Sequence, residues 1–206
     1  WDIFLSLKLS IKMIWWKYKM SQYLDLTGKK AKSALLRKID NNTKNKVLRK
    51  YIFLIEKEKK LILKQNAKDI IFAQKNNLKK SFIDRLTIDL KKLDMIKNSI
   101  KKIIRLKDPT DKILANWKRS NGLSISRVSI PIGVIGVIYE SRPNVTSDVA
   151  SLCFKSGNAV ILKGGSEAIN TNKILAKLFQ KALKLNKVNE NFIQFIDSKN
   201  RKVVDY

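Results

Sequence analysis

The sequence predicts an α/β protein in which a run of helices leads into a β-hairpin and then into a parallel sheet of βαβαβ type. Three observations predict it. Apolar residues recur at helical spacing through residues 21–105. An Asn-Gly pair, Asn121-Gly122, divides two extended runs. From Ile132 onward, short continuous apolar runs alternate with helical stretches, as buried parallel strands alternate with their crossovers.

Taken in order, Lys46–Gln65 reads as one helix, with Val47, Leu48, Tyr51, Ile55 and Ile62 inward. Residues 66–77 read as a short helix burying Ile70, Ile71 and Phe72. Asp89–Arg105 carries the stripe Leu90, Leu93, Ile96, Ile100, Ile103 and Ile104, and Asp89 is placed to cap it. The hairpin occupies 113–130, with runs 113–119 and 123–130 about the turn Ser120-Asn121-Gly122; Arg127 and Val128 break the alternation there, which permits a bulge. Ile132–Ile138 is the first buried strand, followed by a polar turn, 139–146, and a helix over 147–155 that ends at Ser156-Gly157-Asn158. Ala159–Leu162 is the second strand, Lys163-Gly164-Gly165-Ser166 a turn, residues 167–185 a helix and Phe192–Ile196 the third strand.

Composition narrows the function classes. At 206 residues, 44% hydrophobic and 30% charged, the chain has the makeup of a globular domain. Its formal net charge of +27 invites a nucleic-acid reading. However, arginine supplies only eight of the 44 basic residues, and the lysines are spread along every helix, which is the pattern of a solvated face. With no histidine and the single cysteine Cys153, zinc sites, His-based catalysis and internal disulfides are not expected, and a reducing cytoplasm is. No apolar run approaches the roughly 20 residues that span a bilayer. Residues 1–19, with Trp1, Trp15 and Trp16, are expected to be sequence upstream of a start at Met20 rather than a membrane anchor.

Ligands on parallel sheets bind beyond the carboxyl ends of the strands, where both polar turns fall. Gly133 and Gly136 do not form a dinucleotide fingerprint, because they lie inside the strand, and close backbone packing is expected at them. In the second turn, Lys163, Gly164, Gly165 and Ser166 suit a phosphate: a cation, backbone that approaches closely and a helix N-terminus. The alternative is that Ser166 only caps the helix. In the first turn, Arg142 suits a phosphate or carboxylate and Asn144 a developing oxyanion. The alternative is that Asn144 or Thr146 caps the helix while Arg142 pairs with Glu140. Cys153, between Leu152 and Phe154 on an apolar face, is expected to be buried and inert.

The stretches PIGVIGVIYESRPNVT (131–146) and DVASLCFKSGNAVILKGGSEA (148–168) resemble the signature of the γ-glutamyl phosphate reductases, or glutamate-5-semialdehyde dehydrogenases, of the aldehyde dehydrogenase superfamily. Weaker similarity, including Asn66-Ala67-Lys68-Asp69 and Asp84-Arg85-Leu86, extends it over the chain after Met20. The resemblance implies the N-terminal part of a Rossmann-like NADP-binding domain, 20–206, with the catalytic domain and its nucleophilic cysteine absent. It implies an NADPH-dependent reductase of proline biosynthesis that converts L-glutamyl 5-phosphate to L-glutamate 5-semialdehyde and phosphate through a cysteine thioester. A homo-oligomer joined through the hairpin, without nucleic acid, membrane or metal, is implied for the full-length family. Asn144 matches the asparagine that holds the thioester oxyanion, and Lys163 the lysine at the adenosine ribose. Ser166 stands where NAD-preferring relatives carry a glutamate, which implies NADP over NAD. Alone, the chain is expected to be inactive. Two competing expectations are a basic nucleic-acid-binding module and a non-catalytic remnant that pairs with a separate second half.

Overall fold

The computed structural model describes residues 2–205, with the side chains of residues 1–16, 202, 205 and 206 outside the described set. The tryptophans at 1, 15 and 16 therefore lie outside it. Helix α1 (Asp2–Ala34) runs unbroken through Met20.

Helix α2 (Asn41–Lys57) starts at Asp40, whose carboxylate accepts the Thr43 N–H at 2.9 Å. Its inner face, Val47, Leu48, Tyr51, Leu54 and Ile55, follows helical spacing. The helix expected over 46–65 is in fact two. Glu58, at φ −99° and ψ 16°, interrupts it, and α3 (Lys59–Lys75) begins after it. The buried face of α3 is Ile62, Asn66, Asp69 and Ala73, whereas Ile71 and Phe72 are exposed and Ile70 is half-buried. Two polar residues displace the apolar trio because the interior offers them hydrogen-bond partners (below). Helix α4 (Lys80–Leu86) leads to α5 (Leu90–Arg105), where Asp89 caps by accepting the Lys92 N–H at 2.6 Å. Leu93, Ile96, Ile100 and Ile103 face inward, while Leu90, the stripe's first residue, is exposed.

Strands β1 (Ile113–Lys118) and β2 (Ser124–Val128) form the expected hairpin, with Gly122 at φ 86° in its turn. The register slips between Ile113 and Ala115, so the irregularity lies on β1, opposite Arg127 and Val128 rather than at them. Ile113, Leu114, Trp117 and Leu123 stay exposed.

The parallel sheet has the order β3-β4-β5, formed by Val134–Ile138, Ala159–Lys163 and Ile193–Phe195. Val134 lies opposite Ala159 and Ile138 opposite Lys163. Among the described residues, β3 has no partner on its outer side. Helix α6 (Pro143–Lys155) begins four residues earlier than expected, inside the predicted turn. Proline suits this first position, since its fixed φ is helical and the N–H it lacks would be unpaired there. The helix stops at Gly157 (φ 78°), where the Asn158 N–H donates to Cys153 O and the Gly157 N–H to Phe154 O, closing a Schellman turn. A short 3₁₀ turn (Ser166–Ala168) precedes α7 (Ile169–Leu185).

Helices α2, α6 and α7 meet over the sheet in an aromatic cluster. Tyr51 and Phe179 pack with their rings tilted at 45° and 4.5 Å between centroids, and Phe154 sits edge-on to Phe179 and Phe192 at 5.8 and 5.4 Å. Burying each such ring stabilises the fold by about 1.5–3 kcal/mol. Charged groups enter the core only with partners: Lys44 pairs with Asp108 at 2.8 Å, and the Lys155 ammonium donates to Asn41 and Asn45 at 2.6 and 2.7 Å.

The close packing expected at Gly133 and Gly136 is not found, for a Cβ at either would meet nothing within 4 Å. Gly133 is needed instead for its backbone, at φ 120°, and nothing in the structure explains Gly136.

Candidate functional site

The turns after β3 and β4 lie side by side, tied by the Tyr139 N–H donating to Lys163 O at 3.1 Å. They border a cavity of about 880 Å³. Loop 163–166 forms one wall, and Lys199 and Arg201 line it as well. Lys163 is not the mobile charge its sequence suggests. It is 7% exposed, and its ammonium donates to Gly164 O at 2.9 Å. Burial pushes its pKa down, against the pull of Glu167.

Both glycines are dictated by the protein around them. A Cβ on Gly164 would lie 2.3 Å from Asn172 Nδ2 and 3.0 Å from the Tyr139 ring. One on Gly165 would lie 2.2 Å from Ser141 Oγ. Ser166 does not cap the helix. Its hydroxyl donates to Glu167 Oε1 at 2.8 Å, and Ser141 donates to Glu167 Oε2 at 2.6 Å. Burial raises the pKa of Glu167, but the Ser141 hydroxyl, its own backbone N–H, the Ser166 hydroxyl and the charge of Arg201 together outweigh it and hold the carboxyl below its ordinary value.

A buried relay braces the turns. Tyr139 OH is 2.7 Å from Thr146 Oγ1, which donates to Asn172 Oδ1 at 3.0 Å. Burial raises the Tyr139 phenol to about 12, so it remains a hydrogen-bond donor. The start of α7 is fixed from a distance. Its N-cap residue, Ala168, has no capping side chain. Asp69 of α3 takes that part: Oδ2 accepts the Thr171 N–H and hydroxyl at 2.8 and 2.6 Å, and Oδ1 accepts the Asn170 N–H and side-chain amide at 3.2 and 2.8 Å. Asn66 adds a bond to Thr171 Oγ1 at 3.1 Å and accepts the Ile88 N–H at 2.7 Å.

The first-turn candidates face elsewhere. Asn144, in the opening turn of α6, lines a second cavity, of about 780 Å³, between α5 and α6. Neither Asn144 nor Thr146 caps α6; Arg142 is the N-cap residue and makes no side-chain cap bond. Arg142 is exposed and lines neither cavity, and Glu140 lies 3.9 Å from Arg85 instead of pairing with it. Arg85 borders both cavities and so marks their junction. The structure thus gathers Lys163–Ser166 on one cavity, sets Asn144 on the other and leaves Arg142 outside. Ser141, Glu167, Asn172 and Asp69 were given no role from the sequence, although Ser141, Glu167 and Asp69 lie in the stretches that carry the resemblance. Cys153 is buried, and burial raises its thiol pKa. Among the described residues no cluster of acids and cysteine could hold a metal, and no helix is long and apolar enough to cross a membrane.

No protein-family model matches the chain. Among individual proteins, it is 45% identical over 184 residues to a gamma-glutamyl phosphate reductase of Thermoanaerobacter sp. (strain X514), covering 88% of this chain and 44% of that protein. The gamma-glutamyl phosphate reductase structure of Thermotoga maritima superposes with a TM-score of 0.85 at 38% identity, covering 88% of this chain and 44% of that one. A probable aldehyde dehydrogenase of Listeria monocytogenes EGD-e superposes with a TM-score of 0.60 at 11% identity, covering 91% of this chain and 38% of that one, a likeness of fold alone. The chain thus spans about 44% of the length of the curated relatives it matches.

Proposed function

We propose that this chain, which in sequence and fold corresponds to the N-terminal half of the γ-glutamyl phosphate reductases, builds the adenosine end of an NADP site and one wall of an acyl phosphate site for the reduction of L-glutamyl 5-phosphate to L-glutamate 5-semialdehyde in proline biosynthesis. The observation that carries the reading is the cavity at the ends of β3 and β4, with Lys163–Ser166 as its wall.

The residues there fit a phosphorylated dinucleotide. Lys163, Lys199 and Arg201 supply positive charge, and the cavity's acids are engaged, Glu140 beside Arg85 and Glu167 with two serines. A serine at 166, in place of a carboxylate, removes the charge that would repel a 2′-phosphate. When bound, the cofactor supplies the hydride. The chain's part is positioning: the 163–166 backbone, braced by Tyr139, Ser141 and Asn172, receives the ribose end, and Asn144 offers its amide to the acyl oxygen. Arg142, exposed at the same helix start, is assigned to the substrate's anionic groups on its chemistry. The exposed hairpin supports a homo-oligomeric assembly of the whole enzyme.

These 206 residues do not carry the reduction through by themselves, because their one cysteine is buried with a raised pKa. A cytoplasmic location follows from the proposed biosynthetic role. Fluorescence titration of the chain with NADPH and NADH tests the reading: tighter binding of NADPH is expected, and equal or weaker binding of NADPH overturns it.

A further inference from the structure

Among the described residues, four cations border the cavity at the ends of β3 and β4: Arg85, Lys163, Lys199 and Arg201. Three of them are engaged by the protein itself. The Lys163 ammonium is buried and donates to Gly164 O at 2.9 Å. Lys199 sits over the Phe72 ring of α3, its ammonium 4.8 Å from the centroid. Arg85 donates from Nε to Ser81 O at 3.3 Å, stands over the Phe82 ring at 5.7 Å and lies beside Glu140. Arg201 differs. It is exposed, and among the described residues no carboxylate comes within ion-pair distance of it.

The segment that carries Arg201 is anchored. Beyond β5, the Ile196 N–H donates to Leu162 O at 2.9 Å and extends the pairing toward the end of β4. Asp197 pairs with Lys173 of α7. Val203, in the short 3₁₀ turn Arg201–Asp205, is buried and holds that turn down. Arg201 thus lies past the carboxyl end of β5, next to the β4 end that carries Lys163–Ser166. Its charge is felt there, adding to the shifts that lower the pKa of both Glu167 and Lys163. Glu167 does not answer that charge, since its two oxygens accept from Ser166 and Ser141. Two cations that repel each other across a cavity whose acids are engaged suit an anion between them.

We propose that Arg201, rather than Lys163, binds the 2′-phosphate of NADP and so sets the preference over NAD. The inference rests on the reading of this cavity as the adenosine end of the cofactor site. The chemistry agrees with it. A guanidinium offers a phosphate two parallel N–H donors, whereas an ammonium acts as a point charge. Exposure leaves Arg201 charged without a desolvation cost, while burial works against the charged form of Lys163. Lys163, bonded to the loop's own carbonyl, shapes the loop that receives the ribose.

The test compares 2′,5′-ADP with 5′-AMP, which differ only in the 2′-phosphate, titrated into the chain with binding read by calorimetry. The native chain is expected to bind 2′,5′-ADP about tenfold more tightly or better. Arg201→Gln is expected to bring the two ligands within about twofold, with 5′-AMP binding unchanged. Arg201→Lys, which keeps the charge and loses the fork, is expected to retain part of the preference, and Lys163→Met to retain most of it. If Arg201→Gln keeps the preference, or if Lys163→Met loses as much of it as Arg201→Gln does, this inference is wrong, while the reading of the cavity as an NADP site stands. If the native chain binds both ligands equally, or neither, that reading falls and this inference with it. Should Lys163→Met fail to fold by circular dichroism, the two Arg201 variants, exposed and free of that risk, decide the matter: loss in Arg201→Gln with partial retention in Arg201→Lys supports it, and any other pattern refutes it.

Discussion

Replacing Asp69 by alanine removes the cap that fixes the start of α7 and, with it, the floor under loop 163–166. The carboxylate is 1% exposed and accepts four hydrogen bonds from Asn170 and Thr171. The two donors from Thr171 are buried, so neither gains water when the carboxylate goes. Leaving a buried donor unpaired costs about 1–3 kcal/mol, and losing a helix cap typically costs about 1 kcal/mol. Partial relaxation around the small cavity brings the expected loss to about 3 kcal/mol. With a urea slope of about 2 kcal/mol/M, the unfolding midpoint falls by about 1.5 M. Hydrogen exchange supplies a local check: the Thr171 amide, which donates to Asp69, exchanges faster in the variant even where the rest of α7 remains protected. Asp69→Asn, which keeps the shape but turns an amide toward the donors, recovers only part of the loss. A midpoint shift under about 0.3 M for Asp69→Ala, with Thr171 exchange unchanged, refutes the argument.

Two further outcomes follow from the same geometry. Gly164→Ala places a methyl group 2.3 Å from Asn172 Nδ2 and 3.0 Å from the Tyr139 ring, and overpacking of this kind costs about 1–3 kcal/mol. Calorimetry is expected to show Tm falling by about 2–4 °C for each kcal/mol, and an unchanged Tm means the loop accommodates the methyl. Glu56, hydrogen-bonded by Lys59 and then Lys97, has its carboxyl held at about 2, below its ordinary 4.5. The folded pKa is the lower, so this contribution is present above pH 4.5 and is lost as pH falls toward about 2. An NMR titration of Glu56 is expected to show the low value in the native chain and a rise in Lys97→Met; a carboxyl titrating near 4.5 in both contradicts it.

What was legible in the sequence was whatever period and turn chemistry dictate. The Asp89 cap, the Asn121-Gly122 turn, the strands and the stop at Gly157 all follow from neighbours a few residues apart. Where the reading failed, distant partners had decided. The apolar trio 70–72 was expected inside, but Asn66 and Asp69 took that face because Thr171, about a hundred positions later, offers Asp69 its donors and Asn66 an acceptor. Local pattern gave no sign of the break at Glu58. In the site, the loop 163–166 was found at the sheet end where βαβ geometry puts it. The reason for its glycines was not legible, since it depends on Tyr139, Ser141 and Asn172 arriving from other elements.

The bare outer side of β3 shapes how the chain behaves in a crowd of its own kind. A strand with unclaimed backbone groups, flanked by Ile132 at 85% and Ile130 at 78% exposure, is adhesive toward any second strand. What opposes contact is charge, for two copies each carrying +27 repel over distances set by the Debye length. That length is about 30 Å at 0.01 M salt and about 8 Å at physiological ionic strength. Dilute buffer therefore keeps such chains apart, whereas salt brings the sticky edges within reach, so the chain salts out where many proteins would still dissolve.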